Sequence, residues 1–270
     1  MKEYRYNDTG DHVRKLQLAL LSKGFKLPKY GADGHLGGES WDRLERFAEV
    51  EQLSAFQPVP QEIIEELLGE PKFDFPDGFI RVKGDPGDEH GWRKWTAIDT
   101  IVLHQTGIWL NDTPERFATV DAHVGILAKH KTPIVQMHDL QAYCYHANKA
   151  NKFSVGIEIN GHFPGLVELY DPKKHTAEGP STLQIEATRR AIQWICAEVS
   201  ANSGHIKYIL PHRCSNGVKR SDPGEVVWKE IGLWAQEHCY LSDRGGTWTI
   251  GDGKPIPTAW GGTATGVPYG

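Results

Sequence analysis

The sequence predicts an α/β protein with a central mixed β-sheet flanked by helices, preceded by a small three-helix domain. Three observations carry this. Short β-branched runs ending in glycine, TIVLHQTG (100–107) and FSVGIEING (153–161), mix with long amphipathic stretches in the larger C-terminal part. The N-terminal quarter shows apolar residues at helical spacing only. A segment rich in Pro, Gly and Asp separates the two patterns.

In the helical part, Val13, Leu16 and Leu20 form one stripe, Trp41, Leu44, Phe47 and Ala48 a second, and Ile64, Leu67 and Leu68 a third. Between the first two lies KLPKYGADGHLGGES, whose glycines exclude helix. The following GEPKFDFPDGFIRVKGDPGDEHG stops regular structure and reads as a linker or entry loop, with the boundary near residue 75. Beyond it, AHVGILAK and TPIVQMHD read as a pair of strands and KYIL (207–210) as another. A helix from about Thr182 to Ser200 presents Ile192, Ile195, Cys196 and Val199 on one face. A second is expected after Asp222, with Val226, Ile231 and Trp234 among its apolar positions. From Ser242 the chain is dense in Gly, Thr and Pro without a period, which suits a surface-packed or mobile tail. The expected division is therefore 1–75, 76–241 and 242–270.

Composition narrows the functional classes. With 270 residues and 39% hydrophobic content, the chain can bury a sizeable core. A net charge of -5 and no concentrated basic patch argue against nucleic acid as a partner. The longest apolar run, LQLALL, is far short of the roughly 20 residues that cross a bilayer, so no membrane association is expected. The start MKEYRYNDTG lacks an apolar signal core, so the protein is expected to be made in the cytosol, or secreted with its signal removed. Cys144, Cys196, Cys214 and Cys239 are too few and scattered for a disulfide framework.

A catalytic zinc ion takes three protein ligands, typically His nitrogens and a carboxylate, and keeps a further position open. His104, His212 and Asp222 could supply them. His104 closes a hydrophobic strand, and His212 follows one after Pro211, so both would sit on short loops at strand ends. Asp222 and His104 also have a plain structural reading. Asp222-Pro223-Gly224-Glu225 makes a good helix start, with Asp222 as N-cap, and His104 can simply end its strand. Glu158 shares a strand face with Ser154, Gly156 and Asn160, where Gly156 leaves space for a ligand. It is either a general base or a residue on a solvent-facing edge strand. Lys219 or Arg220 could hold a developing oxyanion, or could be solvated loop cations.

The segments IVLHQTG, AHVGILAKHKTPIVQMHDLQAYCYHANKANKFSVGIEING and PHRCSNGVKRSDPG together resemble the zinc-dependent N-acetylmuramoyl-L-alanine amidases, which share a fold with peptidoglycan recognition proteins. The resemblance covers roughly residues 98–240. It implies zinc on His104, His212 and Asp222, and Glu158 as catalytic glutamate. It places Arg220 where the family has a lysine, with Lys219 displaced by one. CYHAN stands for the family's Trp-His-Ala-Gly, so His146 matches without its flanking Trp and Gly, and it is expected to assist catalysis from the side. NDTGDHVRKLQLALLSKGFKLPKYGADGHLGGESWDRLERFAEVEQL is similar to the three-helix peptidoglycan-binding domain, with Phe47-Ala48 in place of its usual Phe-Gln. The resemblance implies a peptidoglycan hydrolase, expected to act as a monomer; the missing signal core taken with the wall-binding module suggests a phage endolysin-like enzyme, with a secreted bacterial enzyme as the alternative. The rival readings are a non-catalytic peptidoglycan-binding protein and a cytosolic amidase that recycles soluble muropeptides.

Overall fold

The computed structural model describes residues 4–22, 25–27, 29–50, 59–60, 63–64, 79–84 and 90–261. The chain divides into two compact units, residues 1–74 with 270, and residues 75–269.

In the first unit, helices α1 (Asp11–Ser22) and α2 (Gly38–Val50) bury both predicted stripes. Val13, Leu16, Leu20, Trp41, Leu44, Phe47 and Ala48 share one core with Leu36, Val59, Ile63 and Ile64. Leu67 and Leu68 of the third stripe lie outside the described residues. The glycine-rich loop between the helices is organised by a polar side chain that the apolar pattern does not single out. Gln17, fully buried, accepts a hydrogen bond from the Gly34 N–H (2.7 Å), and its amide nitrogen lies 2.8 Å from Asp33 Oδ1 and 2.7 Å from Ser40 Oγ. Such a group is retained in a core only when its bonds are satisfied.

The second unit is built on a six-stranded sheet in the order β1-β4-β3-β5-β2-β6. The strands are β1 (Phe79–Arg81), β2 (Thr100–Gln105), β3 (Val124–Ile126), β4 (Ile134–Gln136), β5 (Ser154–Ile159) and β6 (Tyr208–Pro211). Only β3 and β4 pair antiparallel, so the sheet is mixed. Short helix α3 (Pro114–Phe117) precedes β3. Helix α4 (Thr182–Ala201) starts at a capping box, in which the Gln184 N–H donates to Ser181 Oγ and the Gln184 side chain accepts from the Ser181 N–H. Its buried Ala187, Ala191, Ile192, Ile195 and Val199 join Ile101, Leu103, Val155, Ile157, Ile159 and Ile209 in one core on one side of the sheet. The opposite parity of β2 and β5, residues 100, 102 and 104 beside 154, 156 and 158, therefore faces the other way.

Three expectations change. The predicted linker contains β1, which pairs with the edge of the sheet at β4; three residues are too few to show a period, and pairing makes the strand. The C-terminal helix runs as α5 (Glu225–Val227), a π-helical turn (Trp228–Gly232) and α6 (Leu233–His238). The wider turn shifts its buried positions to Val227, Trp228, Ile231 and Ala235, leaving Val226 and Trp234 partly exposed.

The third change concerns the segment from 242, expected as a surface-packed or mobile tail, which through residue 261 packs into the domain and its core. Ser242 joins β6 through its bridge to Tyr208, and Ile256 and Trp260 enter the core. Lys254 N donates to Arg213 O (2.7 Å), and Ile250 N to Cys214 O (2.9 Å), so this segment backs the loop that follows β6. Trp260 is fully buried, with Nε1 donating to Gly165 O at 2.5 Å. Trp260→Ala is expected to destabilise the protein by about 3–5 kcal/mol, the range for truncating a buried aromatic. Denaturant unfolding checks this, and a change under about 1 kcal/mol would mean that the segment does not hold the fold.

Candidate metal centre

The site forms where the chain reverses its order across the sheet. From β2 the path moves to one side, through β3 and β4 to β5, and returns by α4 to β6 on the other side of β2. Crevices at such points, beyond the carboxyl ends of parallel strands, are where open α/β sheets place ligands. His104 and Glu158 are register partners near the ends of β2 and β5, and His212 directly follows β6 on the same face, by the pairing of Val102 with Leu210. The side chains of His104, His212 and Asp222 converge there, with candidate ligand atoms all within 4.8 Å of one another. His104 Nδ1 lies 2.9 Å from His212 Nδ1, which lies 3.0 Å from Asp222 Oδ2. All three residues are buried. Two imidazoles and a carboxylate form a donor set that can hold a metal ion.

Asp222 does not cap a helix. The N-cap of α5 is Gly224, whose φ of 107° suits glycine, and no side chain caps it. Asp222 Oδ1 instead accepts from the Gln105 N–H (2.9 Å), which turns Oδ2 toward His212. Gln105 also bonds Ser221 O (2.9 Å) and Phe163 N (2.5 Å) through its side-chain amide, fixing the Asp222 loop to the end of β2. Its position beside His104 was its only trace in the sequence.

Glu158 does not lie on an edge strand, since β5 runs between β3 and β2. Its Oε2 is 4.0 Å from His104 Nδ1, and the side chain is 13% exposed. Burial, and next the Asp222 carboxylate, hold Glu158 well above the usual carboxylate range, while Lys219 pulls in the other direction. The space over Gly156 is filled by the His146 ring, whose Nδ1 would lie 2.6 Å from a Cβ there. His146 thus packs against the side of His104 away from His212, with Nδ1 3.0 Å from His104 Nε2 while His104 Nδ1 faces His212. Lys219 and Arg220 are both exposed. The Lys219 charge acts on His104 and Glu158, while that of Arg220 acts on Arg213. Cys214, two residues after His212, lies in the apolar core, where burial pushes its thiol up to about 12 and opposes the thiolate form that metals bind.

Arg93 is a buried element that the apolar pattern does not mark. Its guanidinium donates to the carbonyls of Asn151 (2.8 Å), Leu140 (2.6 Å), Ala142 (2.8 Å) and Ser154. Burial lowers its pKa to about 10. His123 and His146 lie well below the ordinary imidazole range, His146 at about 3; burial is the larger cause in both and the Arg93 charge the next. His104 is also lowered, by burial first and His212 second.

These shifts imply acid sensitivity. Below pH ~6.5 the unfolded chain protonates His104, His123 and His146, whereas the folded protein resists, so stability falls with pH. Glu158 works in the opposite sense, because its raised pKa lets the folded state take up one proton first. Three protons against one leave a net loss of roughly 2–3 kcal/mol per pH unit between about pH 6 and 5 for the metal-free protein. Thermal melts across that range check this; an unchanged Tm would mean that the imidazoles are already charged in the folded state.

Comparison with known proteins bears on the same region. The family model described as N-acetylmuramoyl-L-alanine amidase matches residues 94–225. A probable N-acetylmuramoyl-L-alanine amidase of Bacillus licheniformis is 35% identical over 83 residues, 28% of this chain and 23% of that protein. The chain therefore spans about a quarter of the length of the curated relative it matches. Among solved structures, the amidase LysC from Clostridium intestinale URNW aligns with a TM-score of 0.42 at 14% identity, over 60% of this chain and 97% of that one. The amidase AmiD from E. coli, in complex with anhydro-N-acetylmuramic acid-L-Ala-D-gamma-Glu-L-Lys, aligns with a TM-score of 0.38 at 21% identity, over 51% and 57%. Residues 94–225, which the N-acetylmuramoyl-L-alanine amidase family model matches, are thus the part of the chain that carries His104 on β2, Glu158 on β5, and His212 and Asp222 in the segment after β6.

Proposed function

We propose that the second unit is a zinc-dependent peptidoglycan hydrolase that cuts the amide between N-acetylmuramic acid and the L-alanine of the stem peptide. The convergence of His104, His212 and Asp222 beside Glu158, inside the segment matched by the amidase family, is the observation that supports it most. A zinc ion held by those three residues would supply Lewis-acid polarisation of the amide carbonyl and lower the pKa of water. Glu158, close to the cluster and with a raised proton affinity, is suited to act as a base near neutral pH. It takes a proton as the water oxygen bonds to the carbonyl carbon. It then delivers that proton to the departing nitrogen as the C–N bond breaks. Lys219, whose charge already acts on Glu158 and His104, is the better placed of the two loop cations to hold the oxyanion.

Mass spectrometry of soluble products released from purified peptidoglycan, with and without a zinc chelator, tests the reading. Free stem peptides beginning with L-alanine, lost on chelation, are expected. Cut glycan or cut cross-links would overturn the residue roles, and protein that pellets on the wall without products would favour a pure binding protein. We further propose that the first unit anchors the enzyme to the wall, a reading supported by the resemblance of its motifs and by effective-concentration logic. Removing residues 1–75 should then reduce activity on intact walls far more than on soluble muropeptides; equal losses would remove the anchor role.

A further inference from the structure

A histidine that holds a metal usually fixes its ring by donating its other N–H to a carboxylate or a carbonyl. In this protein the group behind His104 is another histidine. His104 Nε2 faces His146 Nδ1 at 3.0 Å, and His146 Nε2 lies 3.3 Å from Ser154 O and 3.2 Å from Ser154 Oγ. The Ser154 hydroxyl spends its own hydrogen on Ala150 O at 2.8 Å. Its oxygen can then offer His146 only lone pairs, as can the Ser154 carbonyl. Both neighbours of His146 Nε2 are acceptors, so the proton of a neutral His146 sits on Nε2 and Nδ1 is bare. The 3.0 Å contact with His104 then needs the His104 proton on Nε2, which leaves His104 Nδ1 as a lone pair facing His212 and Asp222. The reverse tautomer of His104 would set two lone pairs against each other and point an N–H into the cluster.

The ring that transmits this choice is itself held. It lies over Gly156, where any Cβ would come within 2.6 Å of Nδ1, and edge-on to His123 with centroids 5.2 Å apart. His123 is fixed in turn by the Gly156 N–H donating to its Nδ1 (3.0 Å). The Arg93 guanidinium bonds the same Ser154 carbonyl and tethers that strand end.

We infer that Ser154 and His146 act as positioning residues, fixing the tautomer of His104 so that Nδ1 is presented as a ready metal ligand. The inference deepens the zinc-amidase reading and rests on it for its purpose, but the tautomer itself can be read without metal. Long-range proton–nitrogen correlation spectra of the metal-free full chain, labelled at histidine, should show His104 and His146 both protonated at Nε2 and bare at Nδ1. His104 protonated at Nδ1 would overturn the inference. Zinc affinity, measured by competition with a chromogenic chelator, should fall about 10–100-fold in His146→Leu. His146→Asn, whose side-chain oxygen can stand where Nδ1 stood, should recover most of that loss. Equal losses in the two variants at matched thermal stability would also overturn it. A wild-type protein that takes up no zinc would sink the proposed function, while the spectrum would still decide the tautomer.

Discussion

His212→Ala is expected to abolish zinc uptake at the cluster and, with it, amide hydrolysis. Of the three ligand candidates His212 is the central one, with Nδ1 in hydrogen-bond reach of both His104 Nδ1 and Asp222 Oδ2. Its removal leaves one imidazole and one carboxylate, below the three protein ligands that catalytic zinc sites use. The metal's share of transition-state stabilisation is several kcal/mol, which corresponds to a loss of about a thousandfold or more in rate. The fold should survive, because the backbone after β6 is held by the 250–254 segment and not by the imidazole. Zinc content by elemental analysis, product release from purified peptidoglycan and a thermal melt of the metal-free variant make the test. A zinc-free variant that still releases stem peptides would end the metal-dependent reading.

Glu158→Gln separates the base from the metal. The substitution keeps size and hydrogen-bonding reach but cannot accept the proton, so kcat should drop by about 10²–10⁴, the usual contribution of a positioned general base. Zinc content should not change, because Glu158 Oε2 is 4.0 Å from His104 Nδ1 and lies outside the convergent three. Stability at neutral pH should hold or rise, since the wild-type carboxylate is buried next to Asp222 and charges reluctantly. Loss of zinc together with activity would make Glu158 a ligand, and unchanged kcat would place the base elsewhere.

Much of the second unit was legible because its signals are local. The runs that became β2 and β5 carry the period of a sheet, and the stretch that became α4 carries the period of a helix. His104 and His212 could be singled out by residue type and position at strand ends, Glu158 by its strand face beside Gly156, and Asp222 as a carboxylate just before Pro-Gly. Asp222 shows the limit of such reading. The Asp-Pro-Gly-Glu pattern satisfies a helix start, yet in the fold the Asp222 carboxylate is taken by the Gln105 N–H, which is 117 positions away in sequence. Arg93 and Gln105 bond mainly to backbone carbonyls and amides brought in from distant segments, and no spacing rule announces those partners.

The sequence by itself determined the alternation of strands and helices, the helical core of the first unit and the chemical inventory of the site, because each depends on contacts a few residues apart. Only the tertiary structure decided that β5, β2 and β6 lie side by side and parallel, and so that Glu158, His104 and His212 share one end of one face. It also decided that His146 occupies the space over Gly156, and that residues 242–261 close the core and support the His212 loop. The reason is physical: strand order and register are set by burying apolar surface on both faces of the sheet at once, a property of the whole domain that no local period contains.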